Sequence, residues 1–326
     1  MTVPRIGITF GDPGGIGPEI ILKTFSGEFS LPRACYIFFG SSLVIKNEEE
    51  ALGIKLDLQP WDKKDSAGSP GLFLQEVENP LKAIKKGFPS VENGLASFLF
   101  FREAVEEAAK GGLKAIVTAP ISKKSWDLAG IRWRGHTEYL NQAYPQAIMT
   151  FWSEKLKVAL LSHHLPLKLA LDKVKKNILL DYFRHLHQII EKLKPREFEF
   201  LVAGLNPHAG EEGLLGSEEK KEIIPAIKQA QQQGIRISGP FPPDVIFRNA
   251  LGLPDKIIIA LYHDQGLVAF KLESFDTGVN TTLGLPFIRT SPDHGTAFDI
   301  AGRNLARPQS MIEAIKLAYY LIPRSF

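Results

Sequence analysis

The chain has 326 residues, 44% hydrophobic and 23% charged, with 39 Lys and Arg against 36 Asp and Glu. That length fits one large domain or two ordinary ones of a soluble globular protein. There is no basic block of five or six residues and apolar runs are only strand-length, which excludes a nucleic-acid footprint and a transmembrane span.

In chain order, the opening MTVPRIGITFGDPGG passes from a strand into a glycine loop. It lacks the charged, apolar and cleavage regions of a signal peptide, so a cytoplasmic protein is expected. The helix-period segment GIGPEIILKTF follows, then the strand ACYIFFG and the segment SSLVIKNEEEALG. ACYIFFG holds the single cysteine, Cys35, which cannot form an internal disulfide and is placed in the core. Pro60 to Pro70, PWDKKDSAGSP, is the most loop-like stretch and too short for a domain linker. The helical ENGLASFLFFREAVEEAAKGG precedes the strand LKAIVTAP. Then come KVALLS, the helix KNILLDYFRHLHQIIEKL, the strand FEFLVAG, the helix SEEKKEIIPAIKQAQQQG and the strand DKIIIALY. This alternation predicts an α/β fold with a largely parallel sheet.

Five polar clusters begin at the carboxyl ends of apolar runs: TFGDPGGIGPE, VTAPISK, LSHHLPL, GLNPHAGEEG and YHDQG. In α/β sheets ligands bind beyond that edge of the strands. His164, His208 and His263 each lie just past a strand of this kind. Three imidazoles on separate strand ends suit an open divalent-metal site; the plain alternative is loop histidines satisfied by their neighbours. His185 and His187 are two apart on a helix, point in different directions, and read as structural or solvent-facing. The glycine loop Gly11 to Glu19 matches neither G-x-G-x-x-G nor a P-loop. It reads equally as an anion cradle at a helix N-terminus or as a tight turn with Pro18 in the first helical turn. Gly278 to Gly302, GVNTTLGLPFIRTSPDHGTAFDIAG, reads as a long functional loop.

The motifs GDPGGIGPE, VTAPISK, GHTEYL, HLPL, GLNPHAGEEGLLGSEE, GPFPPDVIF, YHDQGL and GVNTTLGLPFIRTSPDHGTAFDIAG occur in this order between residues 11 and 302. Together they resemble the 4-hydroxythreonine-4-phosphate dehydrogenase family of vitamin B6 biosynthesis. The resemblance implies two α/β/α lobes with a central cleft, as in isocitrate and isopropylmalate dehydrogenases. It implies a discontinuous NAD-side domain, residues 1–125 with 280–326, and a second domain, 126–279, carrying metal ligands and dimer contacts. It also implies a homodimer with the active site at the interface.

By the same resemblance, one divalent ion per subunit (zinc, magnesium or cobalt) is held by His164, His208 and His263. The sequence SHHLPL offers two adjacent histidines; His164 is assigned because it directly precedes Leu-Pro-Leu, and His163 points to the other side of an extended segment. Implied substrate contacts are His136, Thr137, Lys271, Asn280 and Arg289, a set suited to a phosphate and a carboxylate. Asp293, His294 and Gly295 are implied contacts for NAD, with NADP the alternative carrier. The implied reaction oxidises 4-phosphooxy-L-threonine to a β-keto acid, which loses carbon dioxide to give 3-amino-2-oxopropyl phosphate. Asp244, Asp264 and Lys271 all remain candidates for the general base. Sister dehydrogenases acting on 4-phospho-D-threonate or 4-phospho-D-erythronate, and more remotely phosphate acyltransferases of related fold, are the rival enzyme readings. A phosphate-binding module without catalysis accounts for Arg289 and Lys271 but not for the histidines.

Overall fold

The computed structural model describes residues 3–62, 69–193 and 198–323. The middle of the loop-like stretch Pro60–Pro70, residues 63–68, lies outside them. Among the described residues there are twelve strands, most of them separated by helices: β1 (Arg5–Thr9), β2 (Cys35–Gly40), β3 (Gln59–Pro60), β4 (Gly71–Glu76), β5 (Ala115–Thr118), β6 (Ile148–Trp152), β7 (Lys157–Leu160), β8 (Glu199–Ala203), β9 (Ile237–Phe241), β10 (Lys256–Ala260), β11 (Val279–Leu283) and β12 (Ile288–Pro292). The chain divides into two compact units, Met1–Ala147 with Leu285–Ile322, and Ile148–Gly284 with Pro323–Phe326.

In the first unit the strand order is β3-β4-β2-β1-β5-β12, and every pairing is parallel. Parallel strands covered by helices on both faces need apolar side chains on both. This is why Cys35–Gly40 is buried at every position, with Ile37, Phe38 and Phe39 at 0% exposure. The helix Val91–Ala109 starts where the Ser90 side chain accepts from the Asn93 N–H at 3.1 Å. It buries Phe98, Phe101, Ala104, Val105 and Ala108 at helical spacing.

In the second unit the order is β11-β6-β7-β10-β8-β9. The pairings β11–β6 and β6–β7 are antiparallel, and β7–β10, β10–β8 and β8–β9 are parallel. Met149, Phe151, Val158, Leu160, Ile258, Leu267 and Phe270 form one core cluster there.

The expected boundaries were 125/126 and 279/280, and the compact units part at 147/148 and 284/285. The helix His136–Ala143 lies in the first unit, where His136 and Tyr139 pack on Phe101 with ring centroids 4.3 and 5.3 Å apart. Asn280 lies in the second unit, where β11 pairs with β6, Asn280 opposite Phe151. One expectation needs correction: the stretch Gly278–Gly302 is not a single loop, since it contains β11 and β12. Its Thr281, Thr282, Thr290 and Ser291 are buried, and β-branched threonines fit a pleated strand. The Thr290 hydroxyl donates to the Ala314 carbonyl at 2.8 Å.

Candidate functional site

Strands β7, β10 and β8 are neighbours, all parallel, with Leu160 opposite Ala260 and Val202 opposite Ile259. Their carboxyl ends are therefore level. His164 follows β7 by four residues, His263 follows β10 by three and His208 follows β8 by five. The His164 and His263 rings lie 5.6 Å apart between centroids. Asp264 Oδ1 is 2.6 Å from His263 Nδ1, which places a proton on Nδ1 and leaves Nε2 as the lone-pair nitrogen. Asp264, one candidate base, is thus engaged in orienting a histidine. Among the described residues no three His, Cys, Asp or Glu side chains of one chain already group closely enough to hold an ion. The structure therefore brings His164 and His263 together, with His208 on the adjoining strand end.

The histidine loops are also where backbone strain collects. Seven described non-glycine residues have positive φ, and five of them are His164 (50°), His208 (51°), Ala209 (54°), Glu211 (40°) and Glu212 (55°). The left-handed conformation costs a non-glycine residue about 1–2 kcal/mol and persists only where the surroundings impose it. Around His208 the constraint is Glu219, buried at 3% exposure. Its carboxylate accepts from the N–H groups of Leu205 and Asn206 and from Asn206 Nδ2 at 2.7–2.8 Å. His163 is half-buried with its ring at 89° to that of His164, and His164 is exposed.

In the first unit Arg289, on β12, is 3% exposed and donates to Thr118 Oγ1 at 2.9 Å and toward His136 Nδ1 at 3.2 Å. His136 opens its helix inside a cage of Phe101 and Trp126. Burial, and then the Arg289 charge, hold its imidazole well below the ordinary value of 6.5, so it is neutral. With Nδ1 accepting from Arg289, the proton sits on Nε2, a buried atom with no hydrogen-bond partner among the described residues. A buried guanidinium beside a buried donor aimed at nothing is suited to an incoming anion. Thr137 is half-buried in the first turn of the same helix.

The remaining candidates are dispersed. Lys271 is exposed near the end of the helix His263–Ser274, and Asp244 is exposed just before the helix Ile246–Ala250. Asn280 is half-buried on β11. Asp293, His294 and Gly295 follow β12; His294 Nδ1 lies 3.0 Å from the Gly295 carbonyl, and burial lowers that imidazole. The glycine loop resolves in favour of the tight turn. Its N–H groups at Gly14, Gly15 and Ile16 already donate to Asp12 Oδ1, the Asp12 carbonyl and the Thr296 carbonyl. A Cβ on Gly14 would meet Asn93 Nδ2 at 2.4 Å, so protein fills the space an anion would need. His185 and His187 are half-buried on the helix Lys176–Leu193, with His187 Nε2 3.4 Å from Glu191 Oε1.

Sequence reasoning missed Ser162, Gln265 and Glu219, which hold the histidine loops through bonds to the backbone of distant segments. Residues 33–318 match the family described as "Pyridoxal phosphate biosynthetic protein PdxA". The chain belongs to this family. It is 44% identical over 325 residues to 4-hydroxythreonine-4-phosphate dehydrogenase of Aquifex aeolicus (strain VF5), covering 98% of this chain and 99% of that one. A putative D-threonate 4-phosphate dehydrogenase of Clostridium botulinum (strain Langeland) is 37% identical over 328 residues, 98% of each chain. A crystal structure of 4-hydroxythreonine-4-phosphate dehydrogenase from Klebsiella pneumoniae superposes with TM-score 0.86 at 34% identity, covering 99% of each chain.

Proposed function

We propose that this PdxA-family dehydrogenase oxidises 4-phosphooxy-L-threonine with NAD, and that the product loses carbon dioxide to give 3-amino-2-oxopropyl phosphate in the route to pyridoxal 5'-phosphate. The observation that carries the metal half of this reading is the level ending of three adjacent parallel strands in His164, His208 and His263. The donor set fits a divalent ion: three imidazoles, one already oriented by a carboxylate through its second nitrogen. Bound there, such an ion supplies a lowered pKa for the substrate hydroxyl and stabilises the charge that develops as carbon dioxide leaves. Asp293, His294 and Gly295 are the residues we assign to hold NAD, which would supply the hydride acceptor.

The chain's own groups do the rest. Arg289 and Lys271 match the charges of phosphate and carboxylate, while the neutral His136 Nε2–H, Thr137 and Asn280 orient the molecule without adding charge. Asp264 is engaged at His263, so we assign the hydroxyl proton to Asp244, or to Lys271 if it acts as an uncharged base in place of its role as a cation. We assign the ion as zinc, magnesium or cobalt, and the protein as a cytoplasmic homodimer whose subunits share the site. The helix His263–Ser274 and its capping residue Phe275 expose Val268, Leu272 and Phe275 at 61%, 81% and 75%, apolar area suited to a second copy. No described helix is long and apolar enough to cross a membrane.

The deciding experiment is turnover with NAD and each divalent ion on 4-phosphooxy-L-threonine and on 4-phospho-D-threonate, followed as NADH absorbance. A higher kcat/KM on the amino acid is expected. A higher value on the threonate moves the enzyme to the sister activity that the Clostridium relative's name carries.

A further inference from the structure

We propose that Gln265, with Ser162, is a positioning residue that fixes the spacing of the three histidine-bearing strand ends; the inference rests on the three-histidine reading above. The main-chain ladder between β7 and β10 ends with the Leu161 N–H donating to the Ala260 carbonyl at 2.9 Å. Beyond that point side chains take over. The buried Ser162 hydroxyl donates to the Leu261 carbonyl at 2.8 Å, two residues before His164 and two before His263. The Leu261 N–H donates to Gln265 Oε1 at 2.7 Å, and Gln265 Nε2 donates to the Gly204 carbonyl at 2.7 Å, four residues before His208. One residue, Leu261, is thus held through both its N–H and its carbonyl. One primary amide replaces the ladder bonds that β10 and β8 lose where they diverge.

The chemistry of the link is specific to glutamine. It needs one acceptor and one donor on a single planar group, and glutamine supplies both. Glutamate keeps the size and the bond from Leu261 but sets a carboxylate oxygen against the Gly204 carbonyl. Gln265→Glu therefore cuts the tie to the His208 strand and spares the tie within the His263 turn. Ser162→Ala cuts the tie to the His164 strand. Neither residue is a candidate ligand, so any effect on metal binding acts through the histidines. Partners of ligating histidines typically carry 10–100-fold in metal affinity.

The test is titration of the full-length protein with cobalt(II) chloride, read by its visible absorption band and by competition with a chelator, with thermal unfolding alongside. Wild type is expected to bind and His164→Ala to lose binding. Gln265→Glu is expected to bind about 10–100-fold more weakly with an altered band shape, and Ser162→Ala to weaken binding in the same direction. The band reports ligand geometry, which a merely structural loss leaves unchanged in the protein that remains folded. If Gln265→Glu and Ser162→Ala both bind cobalt as wild type does, with the same band, the positioning role is overturned. If Gln265→Glu does not fold, the Ser162→Ala result decides. If wild type itself binds no cobalt, the three-histidine reading has failed, which is a different result from the first.

Discussion

Arg289 gives the sharpest test, because its burial and its expected ligand pull in opposite directions. The guanidinium is 3% exposed, and burial pushes its pKa down to about 10. A depression of that size means the charged form is disfavoured in the folded protein by roughly 3 kcal/mol. Methionine at this position removes that penalty and fills similar volume, but forfeits the bonds to Thr118 and His136, worth about 1–3 kcal/mol each when a buried partner is stranded. The two contributions largely offset, so Arg289→Met should change unfolding free energy without ligand by no more than about 3 kcal/mol. Substrate binding has no such cancellation. A phosphate monoester carries nearly two negative charges, and losing a desolvated cation opposite it costs about 2–5 kcal/mol, some 30- to 5000-fold. The assays are urea unfolding of the apo protein, the Michaelis constant for the phosphorylated substrate, and NAD titration. Stability close to wild type, a steeply raised Michaelis constant and an NAD dissociation constant moved much less are expected. A variant that loses more than about 4 kcal/mol of stability while its Michaelis constant stays put would show Arg289 to be a strut between β12, β5 and the His136 helix, and the anion argument would fall.

Three further outcomes are expected. His164→Ala should abolish metal-dependent turnover while His163→Ala retains most of it; reversed phenotypes would shift the ligand by one position. His136 is buried neutral, so the unfolded chain binds the extra proton below about pH 6.5, and stability should fall as pH drops through that value. Urea unfolding at pH 7.5 and 5.5 should show this slope, and His136→Gln should flatten it; an equal slope in the variant assigns the effect elsewhere. Gly14→Ala should destabilise by about 1–3 kcal/mol, because its Cβ would enter the space of Asn93 Nδ2 at 2.4 Å and the Lys85 carbonyl at 2.8 Å. Thermal melts that match wild type would reopen the glycine loop as an empty cradle.

Much of the α/β order was legible because parallel strands buried on both faces leave unbroken apolar runs, as in Cys35–Gly40 and Lys256–Ala260. The polar clusters were legible for the complementary reason: where such a run stops, the chain has left the sheet. What stayed hidden depends on partners far away in sequence. Thr281, Thr282 and Thr290 read as loop residues by composition, yet they fill strands because neighbours cover them. The amphipathic signal of the helix His263–Ser274 is weak because Val268 and Leu272 face outward while Leu267 and Phe270 face the core. Nothing local marks Gln265 either, since its meaning lies in carbonyl and amide groups at Gly204 and Leu261.

The two candidate centres handle their polar groups in opposite ways, and each way suits its ligand. Arg289 and His136 are buried, one kept charged against burial and the other kept neutral by it. Such a pair gains most from an anion that arrives already formed, because little reorganises on binding. His164 and His208 are exposed on left-handed turns and His263 is half-buried at the start of its helix, so none of the three rings is deeply packed. A metal ligand must keep its lone pair accessible, so precision has to come from the backbone beneath it rather than from packing around the ring. Glu219, Gln265 and Ser162, bonded to the backbone at Asn206, Gly204 and Leu261, supply that precision. If the argument is right, Glu219→Gln should leave Arg289-dependent anion binding intact and weaken metal binding, because only the clamp under His208 has changed. Phosphate titration followed by thermal shift, beside cobalt titration, separates the two, and a loss of both together would mean that Glu219 supports the whole fold instead of one turn.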